Sequence, residues 1–426
     1  MKITKVEERL LAWGGKHRVP LLYAAATLLS LAARFLLRGV ISGDMEWFLI
    51  PWAGALKENG GILALGEQVG NYGVLYQTVI ALMTYLPIQI EYAYKLFSIL
   101  FDYALAAVCA VLVRDLSGSG RRALGTYAFV TMLPTVALNS AAWGQCDSVY
   151  AFFCVLCFLL LLRNRITLAF LSYGMAFAFK LQAVFLAPFL ILYYLTERKF
   201  SLLNFLWIPV VMTVTSLGGI LEGRSVLAPF EIYLEQTGYY SSLFMNYPSF
   251  WALMTASGAE GIFQRFSGFC VLSALAVLLA EVLMFLKKRN SFSRKGFLFA
   301  AFLLSYSCVL FLPDMHERYS YLYVILGLML AVLEPRTLAS FALLVFLDLQ
   351  TYGAFLFDPA RYPSPVPCAA NPTPYPMITW LSLINVLCFL SYLLYWGKLF
   401  LRPGSGSIPP EAQSPAEARP LREGNR

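Results

Sequence analysis

The chain has 426 residues, of which 59% are apolar and only 13% charged, against roughly 25% charged in an ordinary soluble domain. Such a composition cannot cover a globule with polar surface, so lipid is the expected solvent and a separate soluble domain of any size is excluded. The formal charge of +8 is dispersed in short Lys/Arg clusters between apolar segments; with no basic stripe interleaved with aromatics, no nucleic-acid partner is expected.

Residues 1–18 contain Lys2, Lys5, Arg9, Lys16 and Arg18 and read as a cytoplasmic N-terminal segment. The apolar run 20–37 that follows has no clear cleavage site after it, so a retained first helix is expected rather than a signal peptide. A membrane-embedded helical domain is expected over 19–400. Its candidate helices are 19–38, 73–87, 92–113, 123–141, 147–163, 166–179, 182–196, 201–220, 262–286, 296–312, 320–334, 337–356 and 378–400, judged against the roughly 20 apolar residues that span a bilayer.

Segment 73–87 is short and ends in Pro87, which suggests a re-entrant or partial helix. That leaves about twelve full crossings in an all-α, polytopic integral membrane fold. As one helix, 166–195 would be about 45 Å long, so a hairpin turning near Lys180 is expected instead. No repeat of the inverted-topology transporter kind stands out. The tail, 401–426, is rich in Pro, Gly, Ser and Glu and is expected to be disordered and cytoplasmic.

Basic clusters tend to face the cytoplasm. They occur at the N-terminus, Arg114 with Arg121 and Arg122, Arg163 with Arg165, Arg198 with Lys199, 287–295, Arg336, and Lys398 with Arg402. The outer side then receives the turns near Asp44, Asp147, Lys180, 224–251, His316 to Arg318, and Arg361. If 73–87 crosses after all, Arg121 and Arg122 fall outside instead.

Three polar sites interrupt the apolar text. In Gly43-Asp44-Met45-Glu46-Trp47, Asp44 suits a general base toward an acceptor hydroxyl, though an ordinary solvated loop acid fits the spacing as well. In Trp143-Gly144-Gln145-Cys146-Asp147-Ser148, the plain reading of Asp147 is an N-cap for the helix after it. In Met315-His316-Glu317-Arg318-Tyr319, the zincin pattern fails because Ser320 stands where the second histidine belongs. Arg318 could snorkel to headgroups or neutralise a phosphate.

Lys95 and Asp102, seven apart, share a helix face and could pair, and Asp348 and Gln350 sit in an apolar run. Cys109, Cys154, Cys157, Cys270, Cys308 and Cys388 read as small core residues, whereas Cys146 and Cys368 fall in predicted loops and could pair. No P-loop, dinucleotide fingerprint or nucleophile elbow occurs.

Taken with Asn71-Tyr72, Lys95-Leu96-Phe97-Ser98 and Asp102, and Ala176-Phe177-Ala178-Phe179-Lys180-Leu181-Gln182, these motifs resemble the GT-C superfamily of membrane glycosyltransferases. The likeness is to bacterial proteins related to the GPI mannosyltransferases and runs from residue 40 to 335. The resemblance implies an inverting enzyme of the cell membrane that moves a hexose, with mannose first, from a polyprenyl-phosphate-sugar donor to a glycan or glycolipid acceptor at the extracytoplasmic face.

It carries the catalytic acid onto Asp44, with Glu46 as companion and Tyr72 and Glu317 in the substrate site. Lys180, His316 and Arg318 would then face the phosphate, and Gln145, Asp147 and Gln182 the sugar hydroxyls. Relatives of the GPI type often show Asp-x-Asp in the first outer loop; the second acid here is Glu46, so no metal or other cofactor is expected. The competing reading is a transporter or flippase of lipid-linked sugars, which would place its polar groups near mid-membrane in matched broken helices. A non-catalytic membrane scaffold would not need acids, Lys and Arg to converge.

Overall fold

A computed structural model describes residues 4–239, 243–254, 262–288, 292–357 and 377–401. Among them there is no β-strand, only isolated bridges from Met245 and Asn246 to His316. Six helices are long and apolar enough to cross a membrane: Arg18–Leu36, Ile90–Ser117, Phe266–Lys287, Arg294–Phe311, Pro335–Phe357 and Ile378–Phe400. Shorter apolar helices include Asp147–Leu162, Ile166–Phe179 and Tyr321–Leu333. The chain is thus all-helical and suited to multi-pass insertion.

Packing separates the helices into two kinds. Arg294–Phe311 is enclosed over 83% of its apolar window, whereas Arg18–Leu36 is enclosed over 11% and Phe266–Lys287 over 28%. Tyr321–Leu333 is buried along almost its whole length. Helices that are apolar all round belong in a protein core or in lipid, and this bundle uses both solutions.

The first helix runs antiparallel to Ile90–Ser117. Ser30 Oγ and Tyr103 OH are hydrogen-bonded at 2.6 Å, Arg34 pairs with Asp102 at 2.7 Å, and Lys95 Nζ donates to the Arg38 and Val40 carbonyls at 2.9 and 2.5 Å. The expected Lys95–Asp102 pair is therefore replaced. Arg34, from the neighbouring helix, takes Asp102, and Lys95 ties down the chain that leaves that helix.

Residues 37–89 consequently depart and return at one end of the bundle. Within them Val74–Met83 has ten residues, about 15 Å of helix, or half of a roughly 30 Å hydrocarbon core. That agrees with a partial helix at 73–87. The supposed long loop 39–72 is itself mostly helical, with Met45–Leu49, Ile50–Glu58 and Gly61–Gly66. Leu49, Ala53, Leu56 and Leu65 fold it onto Tyr76 and Tyr94 in a second apolar core.

Two further helices depart from the sequence expectation. Lys5–Lys16 starts at a capping box between Thr4 and Glu7, and Ala228–Tyr239 lies inside the expected outer loop. The hairpin at Lys180 is present: Ile166–Phe179 ends there, Lys180 is extended (φ −158°, ψ 134°), and Leu181–Leu186 continues as a tight turn. Tyr173 OH donates to the Ala183 carbonyl at 3.0 Å across the bend. Cys146 carries a buried free thiol; Cys368, Arg361, Arg402 and the rest of the tail lie outside the described residues.

Candidate functional site

The polar turns expected to face one side meet at one end of the bundle. Ser42, just past the first helix, donates to the Trp143 carbonyl at 2.9 Å and accepts from Met45 N at 3.2 Å. This fastens the start of the next helix to the turn containing Gly144. Gly144 has φ +74°, and a Cβ there would lie 2.8 Å from Met45 Sδ. Only glycine satisfies both the conformation and the space.

That turn aims two donors at one oxygen. Trp143, stacked on Phe355 with ring centroids 4.2 Å apart, donates from Nε1 to Asp44 Oδ2 at 2.8 Å, and Gln145 Nε2 donates to the same oxygen at 2.7 Å. Gln145 Oε1 in turn accepts from Tyr72 OH at 2.7 Å. Asp44 Oδ1 takes no hydrogen bond from a described residue, and the side chain keeps 19% of its surface exposed. One carboxylate oxygen is fixed by two donors, while the other meets no donor from a described residue.

Asp147 does not cap its helix. Cys146 holds the cap position, without a side-chain cap bond. The fully buried Asp147 carboxylate instead accepts from Lys180 Nζ at 2.5 Å on Oδ1 and from Asn139 Nδ2 at 2.8 Å on Oδ2. An ionised group buried this deeply needs such partners. Lys180, 5% exposed, thereby serves Asp147 rather than the open site.

Arg318 stands between the two acids. Its guanidinium lies 3.4 Å from Asp44, 3.6 Å from Asp147 and 3.5 Å from Glu317. It also lies over the Trp143 ring at 5.7 Å. None of the three ion contacts has hydrogen-bond geometry, and Nε is buried without a hydrogen-bond partner. Burial opposes the Arg318 charge, but Asp44, Tyr72, Asp147 and Glu317 together hold it firmly protonated.

Its neighbours differ. Burial, reinforced by Arg318 and Lys180, holds His316 well below its ordinary range, so the imidazole is neutral at pH 7. Burial pushes Glu317 up to about 7 despite the pull of Arg318. Burial likewise raises Tyr72 well above the usual phenol range, leaving it a neutral donor.

Asp44, Tyr72, Gln145, Asp147, Lys180, His316, Glu317 and Arg318 thus share one constellation. Gln182, two residues beyond Lys180, lies against Tyr319. Glu46 does not join them: its side chain is exposed, and its carboxylate forms no ion pair with a described residue. Among the described residues, no group of three His, Cys, Asp or Glu side chains could hold a metal ion. Gln145 and Asp147, expected to meet a sugar, are engaged within the protein, Gln145 by Asp44 and Tyr72 and Asp147 by Lys180 and Asn139.

Sequence reasoning missed Ser42, Asn139 and Asn246. A lone amide in an apolar run was the available signal for Asn139; a hydroxyl before Gly43 offered little for Ser42. It also missed Arg224, whose guanidinium donates to the Leu65 carbonyl at 2.5 Å, to Gln68 Oε1 at 2.7 Å, to Gln77 Oε1 at 2.6 Å and to the Glu67 carbonyl. Gln77 Nε2 passes this restraint to the Tyr72 carbonyl at 2.8 Å. No protein-family model matches the chain, and the search of curated proteins gives no match.

Proposed function

We propose that this chain is a membrane glycosyltransferase of the GT-C type, moving a hexose from a polyprenyl-phosphate-sugar donor to a glycan or glycolipid acceptor at the extracytoplasmic face. Mannose is the hexose that the resemblance favours, and about twelve crossings is the number that the apolar segments and basic clusters of the sequence suggest. The observation that carries the reading is the pairing of Asp44 and Arg318: a part-exposed carboxylate with one open oxygen, 3.4 Å from a cation whose contacts lack hydrogen-bond geometry.

The chemistry follows from those two groups. Asp44 Oδ1 takes the proton of the acceptor hydroxyl. The acceptor oxygen forms a bond to the anomeric carbon as the bond from that carbon to the phosphate oxygen breaks, with inversion. The electron pair leaves on the lipid phosphate, where charge develops. Arg318 can exchange its long ion contacts for a forked, charge-assisted contact to that phosphate.

Lys180 balances Asp147, so the charge delivered to the leaving group comes mainly from Arg318. His316, being neutral, can add at most a hydrogen bond. Gln145 and Trp143 hold Asp44 in place, and Tyr72 holds Gln145.

Orientation supports the same reading. Arg18, Asp115 with Arg163, Arg294 with Lys295, and Arg336 lie toward the helix termini opposite those that deliver the site. By the positive-inside tendency, the site end faces outward. Asp44→Asn keeps the shape and removes the base, and it should abolish sugar transfer in membranes supplied with lipid-linked sugar. Undiminished turnover would remove Asp44 from the mechanism. Carrier translocation without transfer by the unmodified protein would favour the flippase reading.

A further inference from the structure

The turn that presents Arg318 is flanked by buried oxygens that lack partners. Glu317 Oε2, Asn246 Oδ1 and Gln182 Oε1 accept no hydrogen bond from a described residue. Their residues are 2%, 8% and 8% exposed. An unsatisfied buried polar atom costs about 1–3 kcal/mol. Acceptors left open on the turn of the orphaned Arg318 donor, on the stretch paired with it and on the hairpin against Tyr319 therefore suit a ligand that supplies hydrogens.

The three come from separate parts of the chain. Asn246 lies on a short stretch paired with the turn itself, where Met245 N donates to the Met315 carbonyl at 3.0 Å. Its left-handed backbone, φ +66°, is one that asparagine tolerates better than most residues, and its side chain faces the Glu317 carboxyl. Gln182 approaches from the Lys180 hairpin, against Tyr319.

The ligand's chemistry follows from the atoms. A phosphate has no hydrogens for three acceptors and would be repelled by Glu317. An ammonium group would be opposed by Arg318 and by Lys180. A neutral polyol suits them, since each hydroxyl donates one hydrogen bond.

We infer that Glu317, Asn246 and Gln182 form a subsite that reads the hydroxyls of the transferred hexose, beside the arginine that holds its phosphate. This rests on the donor class proposed above and deepens it, assigning sugar recognition to side chains distinct from Asp44 and its holders.

The test uses the full chain in lipid nanodiscs with four probes: undecaprenyl phosphate, and the same lipid bearing mannose, glucose or galactose. The unmodified protein should bind its best glycosylated probe at least about tenfold more tightly than the bare lipid, a ratio equivalent to about 1.4 kcal/mol. Asn246→Ala and Gln182→Ala should each reduce that ratio severalfold while leaving affinity for the bare lipid unchanged, which also reports correct folding. Glu317→Gln, which removes a charge that opposes phosphate, should reduce the ratio without weakening the bare lipid.

Retention of the full ratio in all three variants would overturn the subsite, as would equal binding of all four lipids by the unmodified protein. If all three variants lost bare-lipid affinity as well, the residues would be structural and the subsite again overturned. Binding of none of the four lipids would instead sink the donor class itself, and the subsite with it.

Discussion

Replacing Arg34 by Met tests how the first helix is held to the bundle. Only Ser30 and Arg34 of that helix are buried, so its attachment depends on polar contacts rather than apolar area. Arg34 reaches Asp102 Oδ2 from Nε at 3.1 Å and from an Nη at 2.7 Å. It also donates to the Thr131 carbonyl at 2.7 Å. Asp102 is fully buried and has one further donor, Ser140 at 2.6 Å, while its Oδ1 has none.

Breaking a buried pair from one side typically costs about 3–5 kcal/mol, because the remaining charge is stranded. Arg34→Met should therefore destabilise by about 4 kcal/mol. Arg34→Met with Asp102→Leu removes the stranded charge and leaves mainly the Thr131 carbonyl without its donor, since the Ser140 hydroxyl keeps the Val136 carbonyl at 3.1 Å, so the loss should shrink to about 1–2 kcal/mol. The assay is equilibrium unfolding of the purified chain in mixed dodecyl maltoside and dodecyl sulfate micelles. A single variant within about 1 kcal/mol of the parent, or a double variant no better than the single, would refute this account.

Other outcomes follow from the site. Glu317, raised to about 7, favours the folded state when protonated; its contribution is full below the ordinary carboxyl range near pH 4.5 and is lost as pH rises through 7. Relative to Glu317→Gln, the parent should thus lose on the order of 3 kcal/mol between about pH 4.5 and 8, and a pH-independent difference in unfolding would contradict that. Gly144→Ala should cost about 1–2 kcal/mol for its backbone alone, displace Met45 and lower transfer at least tenfold; unaltered transfer would show that the turn tolerates a Cβ. Arg224→Met should speed amide hydrogen exchange across 65–77 at least tenfold, measured by mass spectrometry, while exchange in Tyr321–Leu333 stays fixed.

The fold was legible where a local signal sufficed. The bounds 166–179 coincide with the observed helix because Arg165 and Lys180 end an uninterrupted apolar run. The short segment near 73–87 was marked by length and Pro87. Spacing failed for Lys95 and Asp102, because a seven-residue interval shows which residues share a face but not which helix faces them. Asp147 failed similarly: an acid before an apolar run reads as a cap until a lysine from the next hairpin arrives. The helices within 39–72 were hidden by their Gly, Pro and polar residues, which carry helical structure only because Leu49, Leu56 and Leu65 are packed from outside. The grouping of Asp44 with Arg318 on one side followed from the basic clusters at the opposite ends of the apolar segments, whereas the catalytic role of Asp44 rested on the family resemblance, since no local pattern joins residues so far apart in the chain.

The inner helices carry a geometric consequence for any lipid that reaches Arg318. Tyr321–Leu333 has 13 residues, a rise of about 20 Å, some 10 Å less than typical hydrocarbon thickness. Placed across a bilayer, such a helix leaves at least one of its ends recessed below the headgroups. Where the recess lies at its N-terminus, Arg318 waits at the floor of a well, and a phosphate must descend past its own headgroup level to meet it. Access would then favour a sideways path between the sparsely packed outer helices, with a water-borne acceptor coming from above.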